Sequence, residues 1–162
     1  MQNMVDNPLV MAYMGDTIYE QYIREYLIKC GLSKIGELQQ RSLDYVSARS
    51  QRRHLERMEN VNFLTEEEMD IVKWGRNAKG AKTKHTDIVT YRLATGLEAL
   101  IGKLYFAGKN ERIKEIKKEN IVKKVILTEE EMSEVTGGAR VNGFVGGKIS
   151  KNIFYWTRNI WK

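Results

Sequence analysis

Val10-Met11-Ala12-Tyr13-Met14-Gly15-Asp16-Thr17-Ile18-Tyr19-Glu20 is the stretch whose reading decides the fold. Val10, Met14, Ile18 and Tyr22 recur at helical spacing, which predicts an α-helix with an apolar stripe. Asp16 sits within that pattern, bounded by apolar side chains, so its carboxylate is expected on or near a buried face. Gly15 stands beside it. A glycine inside a helix costs about 1 kcal/mol against alanine, so it marks a place where something approaches closely. Two readings of Asp16 are open. It caps a second helix after a kink, or it is a charge that needs a cation, a metal or a ring of donors.

Working outward, Asp6-Asn7-Pro8 opens this helix, with an Asx cap and a proline at the first helical position. The pattern runs to about Lys29, turns Ile18, Tyr22, Ile23, Tyr26 and Leu27 inward, and stops at Gly31. From Lys34 to about Glu59 the sequence reads as further helix, with Leu38, Leu43, Val46 and Leu55 as core positions. Arg41, Arg49, Arg52, Arg53 and Arg57 are expected on a solvated face, and His54 among them on the surface. Thr65 and Glu68 form a capping box for a helix that holds Met69, Val72 and Trp74 and ends near Gly75.

Arg76-Asn77-Ala78-Lys79-Gly80-Ala81-Lys82-Thr83-Lys84-His85 follows. It is basic, lacks acids and carries a flexible glycine. Arg76, Lys79, Lys82, Lys84 and His85 suit phosphates as cations, and Asn77 and Thr83 as hydrogen-bond donors. A soluble surface loop is the plainer alternative. Its position just before the next key helix favours nucleic-acid binding.

That helix is expected from Thr86 or Asp87 to Phe106, with Ile88, Leu93, Leu97, Leu100, Ile101 and Leu104 on its core face. Glu98 is embedded in it. Ala94, Thr95, Ile101 and Gly102 are its neighbours along the helix, and none of them is basic. Packed together, the two helices would let Asp16 and Glu98 share a hard divalent cation such as magnesium, which takes one or two carboxylates and keeps its waters. Spacing alone leaves a structural carboxylate pair equally open.

The remaining chain reads as a basic amphipathic helix from Glu111 to about Val125, then a Gly-rich basic tail after Glu134. Residues 141–145 and 153–156 of that tail suit short strands. The 162 residues carry a net charge of +6 and a pI of about 9.3, which favours a polyanionic partner. A single proline and abundant helix formers point to an all-α protein. Cys30 is the single cysteine, which excludes an internal disulfide and fits a reducing, cytoplasmic setting. There is no zinc-type Cys/His cluster, signal peptide or membrane-length apolar run, so no membrane role is expected.

Residues 11–20 resemble the signature helix of the ribonuclease III family. Thr95-Gly96-Leu97-Glu98-Ala99-Leu100-Ile101-Gly102 resembles its second acidic motif. Val46-Ser47-Ala48-Arg49-Ser50-Gln51, Gly75-Arg76-Asn77-Ala78-Lys79 and the segment from Thr86 to Arg92 are similar to the short Mini-III form, which lacks a double-stranded-RNA-binding domain. The likeness spans roughly residues 4–116.

This resemblance implies an all-α ribonuclease III-type endonuclease domain over 1–119, followed by a C-terminal extension over 120–162. It implies a homodimer with double-stranded RNA across the interface, and a magnesium-activated water that leaves a 5′-phosphate and a 3′-hydroxyl. It implies that Asp16 and Glu98 hold the metal and carry catalysis. It further implies maturation of large-subunit (23S) ribosomal RNA precursor, and RNA contacts from the loop of Arg76, Asn77, Lys79, Lys82, Thr83, Lys84 and His85. Larger relatives carry further acids where this chain has Ala12 and Thr95, and Glu20 is a candidate assistant to Asp16.

Two other readings stand beside the nuclease. One is a non-catalytic ribosome-assembly factor that holds structured RNA on the same fold. The other is a helical homodimer whose two acids are structural. Tyr13, Tyr19, Tyr22 and Tyr26 give the dimer an independent motive, as an aromatic surface beside the first helix.

Overall fold

In the computed structural model, which describes residues 6–79 and 87–121, one helix organises the rest. This is α5 (Ile88–Phe106), buried along most of its length. A helix apolar on nearly every side belongs inside a protein. Around it pack α1 (Pro8–Lys29), α3 (Ala48–Asn60) and α4 (Glu66–Arg76), while α2 (Ile35–Val46) lies on α1. A sixth helix, α6, covers 110–121. The described residues contain no strand, so the fold is all-α as expected. The suggested strands at 141–145 and 153–156 lie outside the described residues.

The helix ends follow the local chemistry of the sequence. Asn7 caps α1 by accepting from Leu9 N–H at 3.0 Å, and Pro8 takes the first helical position. Gly31 follows at φ +91°, a left-handed conformation that glycine adopts without strain. Asp87 caps α5 through Thr90 N–H at 2.9 Å. The Thr65 capping box is present in full: Glu68 N–H donates to Thr65 Oγ1 at 3.2 Å, and Thr65 N–H to Glu68 Oε2 at 3.0 Å.

Several sequence expectations need correction. The α1 helix is continuous, so Asp16 does not mark a kink. Ile23, Tyr26 and Leu27 are buried as expected, but the buried face continues through Met11, Gly15 and Tyr19, one residue round from the expected Val10, Met14 and Ile18. Both stripes are apolar, and periodicity cannot choose between them. Gly15 chooses, because the smallest residue lets another helix come closest. The helical stretch of 34–59 is two helices, broken at Ser47, which caps α3 through Ser50 N–H at 3.4 Å. Leu43 and Ile88, expected in the core, are exposed.

His54 is completely buried rather than on the surface. Its Nδ1 meets the Tyr19 hydroxyl at 3.4 Å, and Asn120 of α6 donates to that hydroxyl in turn. Two of the arginines also tie helices together. Arg52 donates to Thr90 Oγ1 at 2.9 Å and Arg57 to Asn120 Oδ1 at 3.1 Å. Asn120 and Ile121 are buried, so the division drawn between residues 119 and 120 falls inside α6.

Candidate functional site

Two glycines bring the acid-bearing helices into backbone contact. A Cβ on Gly15 would overlap the Glu98 carbonyl oxygen, and one on Gly102 would overlap the Met11 carbonyl oxygen. Side chains normally keep helix axes 8–10 Å apart. Here α1 and α5 meet without intervening side chains, and Asp16 and Glu98 flank the contact.

The two carboxyl groups lie within hydrogen-bonding reach of each other. Asp16 is exposed at the edge of the buried face that Gly15 belongs to, while Glu98 is half-buried. Burial pushes the Glu98 carboxyl up to about 8, with the negative charge of Asp16 adding to the shift. Partial burial and the charge of Glu20 also raise Asp16. Glu20 itself is engaged by Arg24 at 2.7 Å on the surface. Among the described residues no lysine or arginine offsets either carboxyl. A pair of adjoining carboxyls is unfavourable when both are charged, and an added cation relieves it.

The donor set fits a hard divalent ion. Both groups offer carboxylate oxygens, and exposed Asp16 leaves the outer side open to water and phosphate. No cluster of three or more His, Cys, Asp or Glu that could hold a metal occurs among the described residues. Ala12 is buried, and Thr95 turns its hydroxyl onto the Tyr91 carbonyl at 2.9 Å. Neither position adds a ligand to the pair.

Sequence reasoning assigned no role to Gln51. Its amide lies within hydrogen-bonding reach of the Glu98 carboxyl group, although the side chain belongs to α3. The spacing of Gln51, Leu55 and Met58 carries the signal, since a polar residue on a buried helical stripe needs a reason to be there.

The basic stretch begins at the end of α4, next to the same turn of α5. A Cβ on Gly75 would press on Gly96, Ala99 and the Thr95 carbonyl oxygen, so Arg76 starts beside the turn that holds Glu98. Arg76, Asn77 and Lys79 are exposed, with Asn77 as the C-terminal cap of α4. Lys82, Thr83, Lys84 and His85 lie outside the described residues.

An all-helical domain of this kind defines a class of nuclease, and the chain belongs to it: the Ribonuclease III domain family matches residues 9–109. Within that class the chain is similar to Mini-ribonuclease 3 of Staphylococcus aureus, at 48% identity over 108 residues, covering 66% of this chain and 81% of that protein. It is 49% identical over 111 residues to Mini-ribonuclease 3 of Brevibacillus brevis, covering 68% of this chain and 81% of that protein. Mini-ribonuclease 3 of Clostridium tetani is 38% identical over 133 residues, covering 81% of this chain and 83% of that protein. A crystal structure of a protein from Fusobacterium nucleatum has a TM-score of 0.64 at 34% identity, covering 73% of this chain and 93% of that one. The protein is an endoribonuclease of the ribonuclease III family. None of its described helices is long and apolar enough to cross a membrane.

Proposed function

We propose that the protein is a magnesium-dependent endoribonuclease that cuts double-stranded RNA, with the precursor of large-subunit (23S) ribosomal RNA as its natural substrate and the cytoplasm as its place of work. The observation that carries this reading is the pair of adjoining carboxyls, Asp16 and Glu98, on helices locked together by backbone contact. Asp16 and Glu98 would hold the ion. When bound, magnesium supplies water activation and charge stabilisation for in-line displacement at phosphorus. Water oxygen bonds to phosphorus, the bond from phosphorus to O3′ breaks, and O3′ leaves with a proton. The products carry a 5′-phosphate and a 3′-hydroxyl.

Arg76, Asn77, Lys79, Lys82, Thr83, Lys84 and His85 are assigned to the RNA backbone. Support comes from their charge and from the packing of Gly75 beside the acid-bearing turn. A duplex has two strands to cut, so two copies of the site serve one substrate, and we assign the working form as a homodimer. The catalytic domain is assigned to run through α6 to residue 121, beyond the expected boundary at 119, with the remaining residues as an extension.

The test is cleavage of a long double-stranded RNA with magnesium, with EDTA and with calcium, for wild type, Asp16→Asn and Glu98→Gln. Magnesium-dependent cutting, reduced at least a hundredfold in both variants, is expected. Tight RNA binding without cutting under any condition would replace the nuclease with an RNA-holding assembly factor on the same fold.

A further inference from the structure

We propose that Gln51 is a positioning residue for Glu98: its amide, held at the corner between α2 and α3, fixes the Glu98 carboxylate in the orientation that receives the metal. The inference rests on Asp16 and Glu98 being the metal-holding pair. Gln51 is 1% exposed, so its amide has no solvent to pair with. The amide nitrogen carries two hydrogens. One is directed at the Val46 carbonyl oxygen, 3.3 Å away at the last residue of α2. The Glu98 carboxyl group lies within reach of the other. The amide therefore bridges a backbone atom on one side and a side chain of α5 on the other.

The support under Gln51 is rigid. Ser47 caps α3 one turn earlier, and Arg52, the next residue, donates to Thr90 Oγ1 of α5 at 2.9 Å. These contacts fix the register of α3 against the helix that carries Glu98. A glutamate has three rotatable side-chain bonds, so a single directed hydrogen bond at its tip removes much of its freedom. Partners of this kind, outside the metal ligands themselves, typically change metal affinity or activity 10- to 100-fold.

Gln51 also carries a cost that packing alone does not explain. Its Oε1 is buried without a hydrogen-bond partner. Leaving a buried carbonyl unsatisfied is unfavourable. Leu55 and Met58 fill the same helical stripe with no such penalty. A methionine at 51 would fill nearly the same space, so the amide is there for its polarity.

The experiment compares wild type, Gln51→Met, Asp16→Asn and Glu98→Gln. Manganese binding without RNA is followed by the loss of the free-ion paramagnetic resonance signal, and cleavage is followed as kcat and KM with magnesium. Thermal unfolding without metal checks that each variant is folded. For Gln51→Met we expect manganese affinity and kcat each lowered about 10- to 100-fold, with KM for double-stranded RNA unchanged. A folded Gln51→Met with wild-type manganese affinity and kcat overturns the inference.

Should Gln51→Met fail to fold, the wild-type protein gives the answer. The side-chain amide resonances of Gln51 should shift on magnesium titration and again in Glu98→Gln. Resonances that move in neither case overturn the inference. Manganese binding and cleavage that survive in Asp16→Asn and Glu98→Gln would instead remove the metal site on which it rests.

Discussion

Glu98 shows what the site costs the fold. Its carboxyl is pushed up to about 8 by burial and by Asp16, from an ordinary value of 4.5. The folded state therefore binds this proton more tightly than the unfolded chain does. Glu98 contributes full stability below about pH 4.5 and loses it as the pH rises through about 8. Without metal, Glu98→Gln should then be more stable than wild type at pH 9, by about 1–2 kcal/mol, and the gain should shrink at pH 5. Urea denaturation at the two pH values measures this. Equal stability at both would show that the proton is not held by the fold. Gln51 and Glu98 also show where reading residues stops. The sequence pointed to both acids through their apolar flanks and the glycines beside them. Gln51 lies 47 positions before Glu98, and only packing brings the two together.

At the level of elements, α6 is locked onto the start of α4 by one arginine. Arg112 Nε and Nη2 fork onto the two Glu68 oxygens at 2.8 and 2.9 Å, and Nη2 also reaches the Phe63 carbonyl at 2.8 Å. The guanidinium lies over the Phe63 ring at 4.6 Å. Arg112 holds the Glu68 carboxyl below its usual range. That contribution is present above the ordinary carboxylate pKa and is lost as acid protonates Glu68. Arg112→Ala leaves Glu68, itself 6% exposed, without its cation. It should destabilise the protein by about 2–4 kcal/mol at pH 7, and a double-mutant cycle with Glu68→Gln should show strong coupling. Additive effects would demote the fork to a surface contact. The Thr65 capping box was legible because its four residues are local. The break at Ser47 was equally local and was passed over, since the segments on both sides share helical propensity. The buried place of His54 depends on Tyr19 and Asn120, far away in the chain, and no window of sequence holds all three.

For the whole molecule, charge and exposed apolar surface lead to separate tests. The net charge is +6, and the basic residues from Arg76 to His85 follow one another in sequence between α4 and α5. Changing Lys79, Lys82 and Lys84 together to alanine should weaken RNA binding and lower the slope of log affinity against log salt by roughly 2–3. An unchanged slope would assign these lysines no phosphate contacts. The tyrosine argument for a dimer needs revision, because Tyr19 and Tyr26 are buried and Tyr22 is half-buried. Tyr13 remains 81% exposed, joined by Val10, Tyr105 and Phe106. Exposed apolar side chains of this size are what a second copy would cover. Sedimentation at micromolar concentration should give a dimer, and a monomer would remove that assignment. The helical class was legible throughout, because composition and periodicity act over whole segments. Which face of each helix turned inward was less so, as with α1, whose two apolar stripes were separated only by the place where α5 touches Gly15.

The contact of α1 with α5 at Gly15 and Gly102 has a consequence for how such a chain changes over generations. Its gauge is peptide geometry, which every sequence shares. Leucines, isoleucines and methionines elsewhere in the interior can be exchanged by drift, and the separation of Asp16 from Glu98 keeps its calibration. A mutation that adds one methyl group at either glycine changes that calibration in a single step. Lineages of this protein would therefore be free to rewrite most of their interior while inheriting these two gaps intact.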